Sequence, residues 1–392
     1  LRQRGERGLS PEVLSSEVAP MGERRRKFVA AAVQYAPELP WDLEGSAEKC
    51  CHLIDRAAAQ GAELIVFPEC FLPMYPNWSV DLANPTEWAA NLAEFTEQCP
   101  QVPGPATLAI GDAARRAGAW VVVGANARHP LYGGKLFNAL LYFAPTGEMI
   151  GLHRKLLPTN REKVFHSAGD GRDLAVYETD LGRLSGLICY EHLQPLAKYA
   201  LFAQGEEVHC ACWPGWPDFK KGRTNVHVVD AASRACALEG QVFVVLASLY
   251  VPPEAVPRGY LGNADWSFFG GSGIIGPDGN YLAGPLLHGE GIVTAEVDLR
   301  QILIRKAAVD TMGKDSRWDI LRLQFEPRRY EPLEAPSEKP EEGEAREPSE
   351  GALPPAEAAA QPPSADAPSR PAGRREEGEG GGGGGANGGD HG

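Results

Sequence analysis

The chain alternates two hydrophobic patterns over most of its length. A continuous apolar run at 29–33 and the segment 63–67, which is apolar from Leu64 onward, are typical of buried strands. Between them, residues 46–61 carry apolar side chains at helical spacing, and we expect Ser46 to cap this helix and Gly61 to end it. The same order of predicted helix and strand recurs at 106–117 and 120–123.

Three later segments have the pattern of a strand, a tight turn and a second strand. Their predicted turns lie at 145–147, 180–182 and 277–280, and each contains a glycine. Strands in hairpins, mixed with helices, predict an α/β fold in which sheets of mixed pairing pack against helices. We find no internal repeat of about 20 to 50 residues.

Composition divides the chain into three parts. Residues 331–392 contain no Phe, Trp, Tyr, Ile or Val and have 13 Gly. Such a segment buries too little apolar surface to offset its ordering entropy, so we predict a disordered acidic tail. Residues 1–26 show no sustained periodicity and are predicted to be an irregular extension. The predicted domain is therefore 27–330.

Charge excludes some partners and says little about the substrate. The chain has 52 Asp and Glu against 38 Lys and Arg, for a formal net charge of −14. This acidity disfavours binding to nucleic acid or an anionic membrane. Residues 331–392 hold 14 acidic and 5 basic side chains, hence −9, which leaves −5 for the rest. No apolar run approaches the roughly 20 residues of a membrane helix, and we predict a soluble, cytoplasmic protein.

One cysteine has a setting that differs from the other seven. The eight lie at positions 50, 51, 70, 99, 189, 210, 212 and 236. None forms a CxxC pair, so most are expected to be small buried hydrophobes rather than zinc ligands or disulfides. Cys189 instead ends the predicted strand 183–188 just before a predicted helix at 196–202. Free N–H groups at such an elbow stabilise a thiolate, which makes Cys189 a candidate nucleophile.

A nucleophilic cysteine needs a base and a cation. His192 is the nearest candidate base, but its side chain lies three residues along the same turn. Glu69 and Lys155 each interrupt the end of another predicted strand. Singly, each would most often be a solvated residue at the start of a loop. Together with Cys189, they offer a carboxylate, an ammonium and a thiol at one edge of a sheet.

Three separated blocks of sequence contain these residues: Phe67-Pro68-Glu69, His153-Arg154-Lys155-Leu156 and Gly186-Leu187-Ile188-Cys189-Tyr190-Glu191. Together they resemble the nitrilase superfamily of carbon-nitrogen hydrolases. The flanking segments 73–78, 155–159 and 191–196 are similar to the nitrilase branch itself. Tyr190 departs from that branch, where Trp is common, and the Gly-His-Tyr-type block near the C-terminus appears only as residues 315–321.

The resemblance implies an αββα four-layer sandwich and assigns roles to five residues. Cys189 would be the nucleophile, Glu69 the base and Lys155 the stabilising cation. Glu162 would orient substrate and lysine, although without the resemblance it reads as a surface residue. The Tyr190 backbone N–H would help to hold developing charge. No cofactor or metal is implied, and no HExxH or P-loop motif occurs in the chain.

The implied reaction is hydrolysis of a nitrile by water to a carboxylic acid and ammonia. An amidase of the same superfamily, a cyanide-degrading hydrolase and a catalytically silent binding protein remain alternatives. Aromatic and histidine side chains near the strand ends are candidate substrate contacts, with core packing equally favoured for each: Tyr75, Trp78, His129, Tyr190, Trp213 and Trp216. The family also implies a homodimer that builds larger homo-oligomers or spirals, with helices at 195–204 and 226–239 as candidate interfaces.

Overall fold

The computed structural model describes residues 26–76, 84–215, 226–255 and 268–328. The chain divides at residue 332 into two units, and all described residues lie in the first. The strands are β1 Lys27–Gln34, β2 Leu64–Val66, β3 Trp120–Arg128, β4 Leu136–Phe143, β5 Met149–Arg154, β6 Tyr177–Thr179, β7 Gly182–Ile188, β8 Val208–Trp213, β9 Phe243–Ser248, β10 Gly270–Ile275, β11 Tyr281–Leu287 and β12 Gly291–Asp298. The helices are α1 Leu43–Ala58, α2 Pro85–Gln98, α3 Pro105–Ala117, α4 Pro195–Ala203, α5 Val226–Gly240 and α6 Arg300–Ala308.

Two six-stranded sheets share one plan. The first has the order β12-β1-β2-β3-β4-β5 and the second β11-β10-β9-β8-β7-β6. In the first sheet, β1, β2 and β3 are parallel, with antiparallel β12 on one side and antiparallel β4 and β5 on the other. The second sheet repeats this plan with parallel β7, β8 and β9, flanked by β6 and by β10 and β11. Parallel neighbours need long crossover connections, and helices supply them.

The alternation of side chains along β1 shows how the layers pack. Ala30 and Ala32 lie in the core between the two sheets. Ala31 and Val33 point the other way, into the core beneath α1 and α3. On the far side, α4 and α5 cover the second sheet. The order of layers is helix, sheet, sheet, helix, so the αββα sandwich expected from the resemblance is confirmed.

Most of the elements predicted from hydrophobic pattern are present. All three predicted hairpins form, as β4–β5, β6–β7 and β10–β11. The predicted cap of the first helix is wrong. The helix begins at Leu43, and the Asp42 side chain caps it by accepting from Gly45 N. Ser46 is buried inside the helix, where its hydroxyl bonds the backbone of Glu38 in the preceding loop.

The two predicted terminal segments lie, apart from Arg26, outside the described residues. The boundaries 1–26, 27–330 and 331–392 therefore stay predictions. Among the described helices, none has both the length and the apolar character needed to cross a membrane.

Candidate active site

Three strand ends bring the predicted site residues to one place. Glu69 follows β2, Lys155 follows β5 and Cys189 follows β7. The Lys155 Nζ atom lies 3.0 Å from Glu69 Oε1, although 86 residues separate them in sequence. Lys155 is held at this point because its backbone N–H donates to the carbonyl of Asn138 at 2.8 Å, which extends the pairing of β5 with β4.

Glu162 completes the environment of the lysine. It belongs to a 3₁₀ turn, Asn160–Val164, in which its Oε2 accepts from the Thr159 N–H at 3.1 Å. Lys155 Nζ donates to Glu162 Oε1 at 2.9 Å and to Oε2 at 3.0 Å. The two carboxylates therefore bind one ammonium from two sides, and all three groups are buried.

One carboxylate oxygen of Glu69 accepts hydrogen bonds, and the other accepts none from the described residues. Oε1 accepts from Asn138 Nδ2 at 2.6 Å as well as from Lys155. Oε2 is buried and has no hydrogen-bond partner among the described residues. Leaving a buried carboxylate oxygen unpaired costs about 1–3 kcal/mol or more, and this oxygen is available to accept a proton or a hydrogen bond.

Burial and neighbouring charges shift the pKa values of Glu69, Glu162 and Lys155 in different directions. Burial raises the pKa of Glu69 to about 7, with the Lys155 charge acting against it and the Glu162 charge with it. Burial also raises the pKa of Glu162, but the charges of Lys155 and His166 and the hydrogen bonds from Lys155 and Thr159 together outweigh it, and the net shift is downward. Burial lowers the pKa of Lys155, whereas the charges of Glu69, Cys189 and Glu162 raise it well above its usual value. Near neutral pH, Lys155 and Glu162 are therefore charged, and Glu69 exchanges a proton.

Cys189 sits in a strained turn within electrostatic range of this cluster. It begins the 3₁₀ turn Cys189–Leu193 with φ of +52°, a left-handed conformation that costs a non-glycine residue roughly 1–2 kcal/mol. The thiol is fully buried, and its ionised form is among the charges that raise the pKa of Lys155. The turn thus places the Cys189 thiol of the second sheet within electrostatic range of charged groups on the first.

A buried carboxylate, Glu191, ties the cysteine turn to the lysine strand. Its Oε1 accepts from Leu156 N at 2.8 Å, directly after Lys155. Its Oε2 accepts from Ile188 N at 2.8 Å, directly before Cys189, and also lies 2.8 Å from His153 Nε2. Glu191 therefore joins the two sheets at the residues next to the site.

His192 is not placed as a base for Cys189. Its Nδ1 donates to the backbone carbonyl of Cys189 at 2.7 Å, because a carbonyl only accepts. Its Nε2 lies 3.0 Å from His209 Nε2. Both ring nitrogens are thus engaged by groups other than the thiol, so the carboxylate is the better-placed proton acceptor.

The predicted substrate contacts have different surroundings. Tyr75 donates from its hydroxyl to Glu162 Oε1 at 2.8 Å, so it lies at the cluster. His129 lies in the β3–β4 loop, where its Nδ1 accepts from Leu131 N and Tyr132 N. Trp213 is buried and stacks on His192 with ring centroids 5.1 Å apart. Trp78 and Trp216 lie outside the described residues.

Three polar groups at the site are not found by sequence reasoning. Asn138 binds Glu69, Glu191 joins the two strand ends, and His209 contacts His192. For Asn138 a signal exists, because it is the one polar residue in the buried strand LFNALLYF. The other two act across elements, and spacing along the chain does not reveal them. Within the described ranges, no cluster of three or more acidic, histidine or cysteine side chains is placed to hold a metal ion.

Comparison with known proteins agrees with this arrangement. The family model for carbon-nitrogen hydrolases matches residues 29–303. A nitrilase of Pseudomonas syringae is 38% identical over 305 residues, covering 76% of this chain and 89% of that protein. An aliphatic nitrilase of Rhodococcus rhodochrous is 37% identical over 322 residues, covering 80% and 86%.

Solved structures show the same fold at lower identity. A Saccharomyces cerevisiae member of branch 10 of the nitrilase superfamily superposes with a TM-score of 0.59 at 20% identity, over 74% of this chain and 96% of that one. An amidase of Nesterenkonia, in a form with the acetamide moiety of fluoroacetamide added to its active-site cysteine, gives a TM-score of 0.54 at 20% identity, over 74% and 96%. The family match, the close relatives and the shared fold together show that this chain belongs to the carbon-nitrogen hydrolases of the nitrilase superfamily.

Proposed function

We propose that this protein is a nitrilase that converts a nitrile, with two water molecules, to a carboxylic acid and ammonia. Cys189 is the nucleophile, Glu69 the proton acceptor and Lys155 the cation that stabilises developing negative charge. The observation that carries the proposal is the pairing of Lys155 with one oxygen of Glu69 while the other oxygen is buried without a partner among the described residues. The relatives named nitrilase support the choice of a nitrile over other carbon-nitrogen substrates.

The first step forms a covalent thioimidate. Glu69 takes the thiol proton, and the sulfur of Cys189 bonds to the nitrile carbon. The electron pair displaced from the triple bond moves to nitrogen, where Lys155 and the Tyr190 backbone N–H stabilise it. Glu69 then returns its proton to that nitrogen. A base whose pKa is about 7 suits this exchange, because general-base catalysis is most effective near the working pH.

The remaining steps use two waters and restore the thiol. Glu69 takes a proton from the first water, whose oxygen adds to the thioimidate carbon. That proton is returned to the nitrogen, and the proton of the new hydroxyl group is transferred to the same nitrogen. Ammonia then leaves, and a thioester remains. The second water attacks in the same way, and the sulfur leaves to recover its proton. Glu162 and Tyr75 take no proton in this scheme and keep Lys155 in position.

Ammonia release tests the proposal. The panel comprises aliphatic and aromatic nitriles, cyanide and the matching amides. Turnover of organic nitriles supports the nitrilase proposal, whereas turnover of amides alone assigns an amidase and turnover of cyanide alone a cyanide hydrolase. Silence on every substrate favours a binding role.

A matched pair of cysteine variants tests the nucleophile. Cys189→Ala is expected to abolish turnover and any acyl adduct detected by mass spectrometry. Cys70 is the control because it is equally buried, lies beside Glu69 and has a φ of +51°. We expect Cys70→Ala to keep turnover within about threefold, and loss of both activities to the same degree would mean that the nucleophile is wrongly assigned.

The assembly and location of the enzyme are also proposals. We propose that the subunits pair through α4 and α5, the helices that follow the cysteine, and that such pairs build larger homo-oligomers. Exposed apolar side chains on this face support the pairing, since Leu196 is 67% and Leu238 46% exposed. The cytoplasmic location stays a prediction.

A further inference from the structure

A chain of buried polar side chains lies behind the cysteine turn and takes no part in the proposed proton transfers. Ser185 donates its hydroxyl to Glu206 Oε1, and His209 Nδ1 lies 2.7 Å from the same oxygen. His209 Nε2 then contacts His192 Nε2 at 3.0 Å, and His192 Nδ1 binds the Cys189 carbonyl at 2.7 Å. All four side chains are at most 3% exposed. Buried polar groups are costly unless they are paired, and Glu206 Oε2 is the one polar atom of these four side chains without a partner among the described residues. A chain of this kind calls for an explanation.

With Glu206 as a carboxylate, the geometry sets the number of protons on the two imidazole rings. The Cys189 carbonyl only accepts, so His192 Nδ1 carries a proton. The Glu206 carboxylate accepts from His209 Nδ1, so that nitrogen also carries one. The two Nε2 atoms, 3.0 Å apart, need one proton between them, because two facing lone pairs would repel. Three protons on four nitrogens make one ring an imidazolium and leave the other neutral.

The groups that face each ring place the charge on His209. Burial lowers the pKa of His192 well below its usual value, and the charges of His209, Lys198 and His153 act in the same direction. Burial also lowers the pKa of His209, but Cys236 and Glu206 outweigh it and raise the pKa to about 10. His209 is therefore the cation, balanced by Glu206, and His192 is a neutral ring that donates through Nδ1.

The last bond of the chain acts on a single peptide unit. The carbonyl of Cys189 and the N–H of Tyr190 belong to the same planar peptide, and in a trans peptide they point in opposite directions. A donor that holds the carbonyl on one side therefore fixes the direction of the N–H on the other. A hydrogen bond to the carbonyl also polarises the peptide and makes its N–H a stronger donor.

We propose that Glu206, His209 and His192 are positioning residues that orient and polarise the Cys189–Tyr190 peptide, so that the Tyr190 N–H receives the charge developing on the substrate. This inference rests on the proposed function, in which that N–H stabilises the anionic nitrogen and later the oxyanion. It also explains how Cys189 keeps its left-handed φ, because the His192 bond stabilises that turn.

Two variants of His192 separate positioning from general packing. His192→Phe keeps a flat ring to stack on Trp213 but loses both nitrogens. In His192→Asn the amide nitrogen replaces Nδ1, so the bond to the Cys189 carbonyl is retained while the contact with His209 is lost. We expect kcat to fall about 10²–10³-fold in His192→Phe, as for removal of an oxyanion donor, and to recover to within about tenfold of wild type in His192→Asn. KM is expected to change less than about threefold in both.

Alkylation of Cys189 by iodoacetamide separates positioning from structural damage, because a disturbed cysteine turn would also change the alkylation rate. Alkylation needs the thiolate but builds no charge on a carbonyl or nitrile, so both variants should react within about threefold of the wild-type rate. Thermal unfolding shows whether each variant is folded. A parallel fall of alkylation and kcat, an equal loss of kcat in both variants, or full activity of His192→Phe would each overturn the inference.

A second pair of variants, at His209, tests whether a proton lies between the two Nε2 atoms. His209→Gln keeps a donor at the Nε2 position, facing His192, whereas His209→Asn keeps one only at the Nδ1 position, facing Glu206. We expect the Asn variant to have a kcat about tenfold below that of the Gln variant, and the reverse order would overturn the inference. If wild-type enzyme turns over neither nitrile nor amide, the proposed function itself fails, and this inference with it. If wild-type enzyme is active and His192→Phe is equally active, the inference is refuted while the proposed function stands.

Discussion

At the scale of single residues, the protonation of Glu69 sets the pH range of the proposed reaction. A carboxyl group in water titrates near 4.3, and burial moves the pKa of Glu69 to about 7. The base must be ionised to accept the thiol proton. Consequently kcat/KM is expected to fall about tenfold for each pH unit below 7.

Two substitutions should move this acid limb in opposite directions. Asn138 donates to the ionised form of Glu69, so Asn138→Ala is expected to raise the pKa and move the limb to higher pH by about one unit. The negative charge of Glu162 acts the other way, so Glu162→Gln is expected to move the limb to lower pH while also reducing kcat. The measurement is kcat/KM from pH 5 to 9 for the two variants and wild type.

The directions in which the acid limb moves in the two variants show whether Glu69 controls the pH dependence. A limb that moves in the same direction in both variants, or stays at 7 in both, would show that another group controls the pH dependence. Thermal unfolding of each variant separates a shifted pKa from a disturbed fold, since Asn138 lies in the buried strand β4.

At the scale of elements, the segment that carries Glu69 lies directly on β3. Gly124 is the contact point, since a Cβ there would lie 2.1 Å from the Pro68 carbonyl oxygen and 2.7 Å from both Cys70 N and Glu69 Cα. All three atoms are backbone, so no flexible side chain is able to move aside. The strand and the Glu69 segment approach closely only because this residue has no side chain.

Gly124→Ala is therefore expected to displace Glu69 and lower kcat about 100-fold, as a misplacement of about 1 Å does elsewhere. Overpacking should also destabilise the fold by about 1–3 kcal/mol, measured by denaturant unfolding. Gly133→Ala is the control, because nothing lies within 4 Å of a Cβ at that exposed position. Normal activity in Gly124→Ala would mean that the Glu69 segment adjusts freely.

The elements that sequence predicts are those with a strong apolar pattern. Glu69, Lys155 and Cys189 stand out because each follows the end of a predicted strand, and a strand end can be recognised from its own segment alone. β12 is not predicted, because most of its side chains are only half-buried and no apolar run marks it. Helix α2 is missed for a similar reason, since Phe95 is its one buried residue. The Glu206–His209–His192 chain is missed because its contacts cross between a loop, β8 and the cysteine turn.

At the scale of the whole molecule, the face formed by α4 and α5 exposes apolar side chains beside the cysteine turn. Leu193 at the end of that turn is 53% exposed and Leu196 is 67% exposed. Within one subunit, Lys198 of α4 pairs with Glu239 of α5 and holds the two helices together. A face of this kind gains stability when a second copy covers it.

Leu196→Glu is expected to weaken subunit pairing, because it places a charge where apolar surface is buried in the proposed dimer. Analytical ultracentrifugation should show a shift toward monomer with no loss of thermal stability at low concentration. Leu303→Glu on α6 is the matched control, since Leu303 is 69% exposed and lies on a different helix. An unchanged mass for Leu196→Glu, or an equal shift for both variants, would place the interface elsewhere.

The pairing of β1 with β12 bears on how the protein folds while it is being made. Lys27 lies opposite Asp298, so β1, the first of the described strands to leave the ribosome, waits for nearly the whole domain before its outer partner exists. Until then β1 offers an unpaired edge to other nascent chains, the kind of edge that promotes aggregation. The second sheet, complete by residue 287, is finished first. The sheet that carries Glu69 and Lys155 is therefore the last to close, and its pairing is complete only once residue 298 has been made.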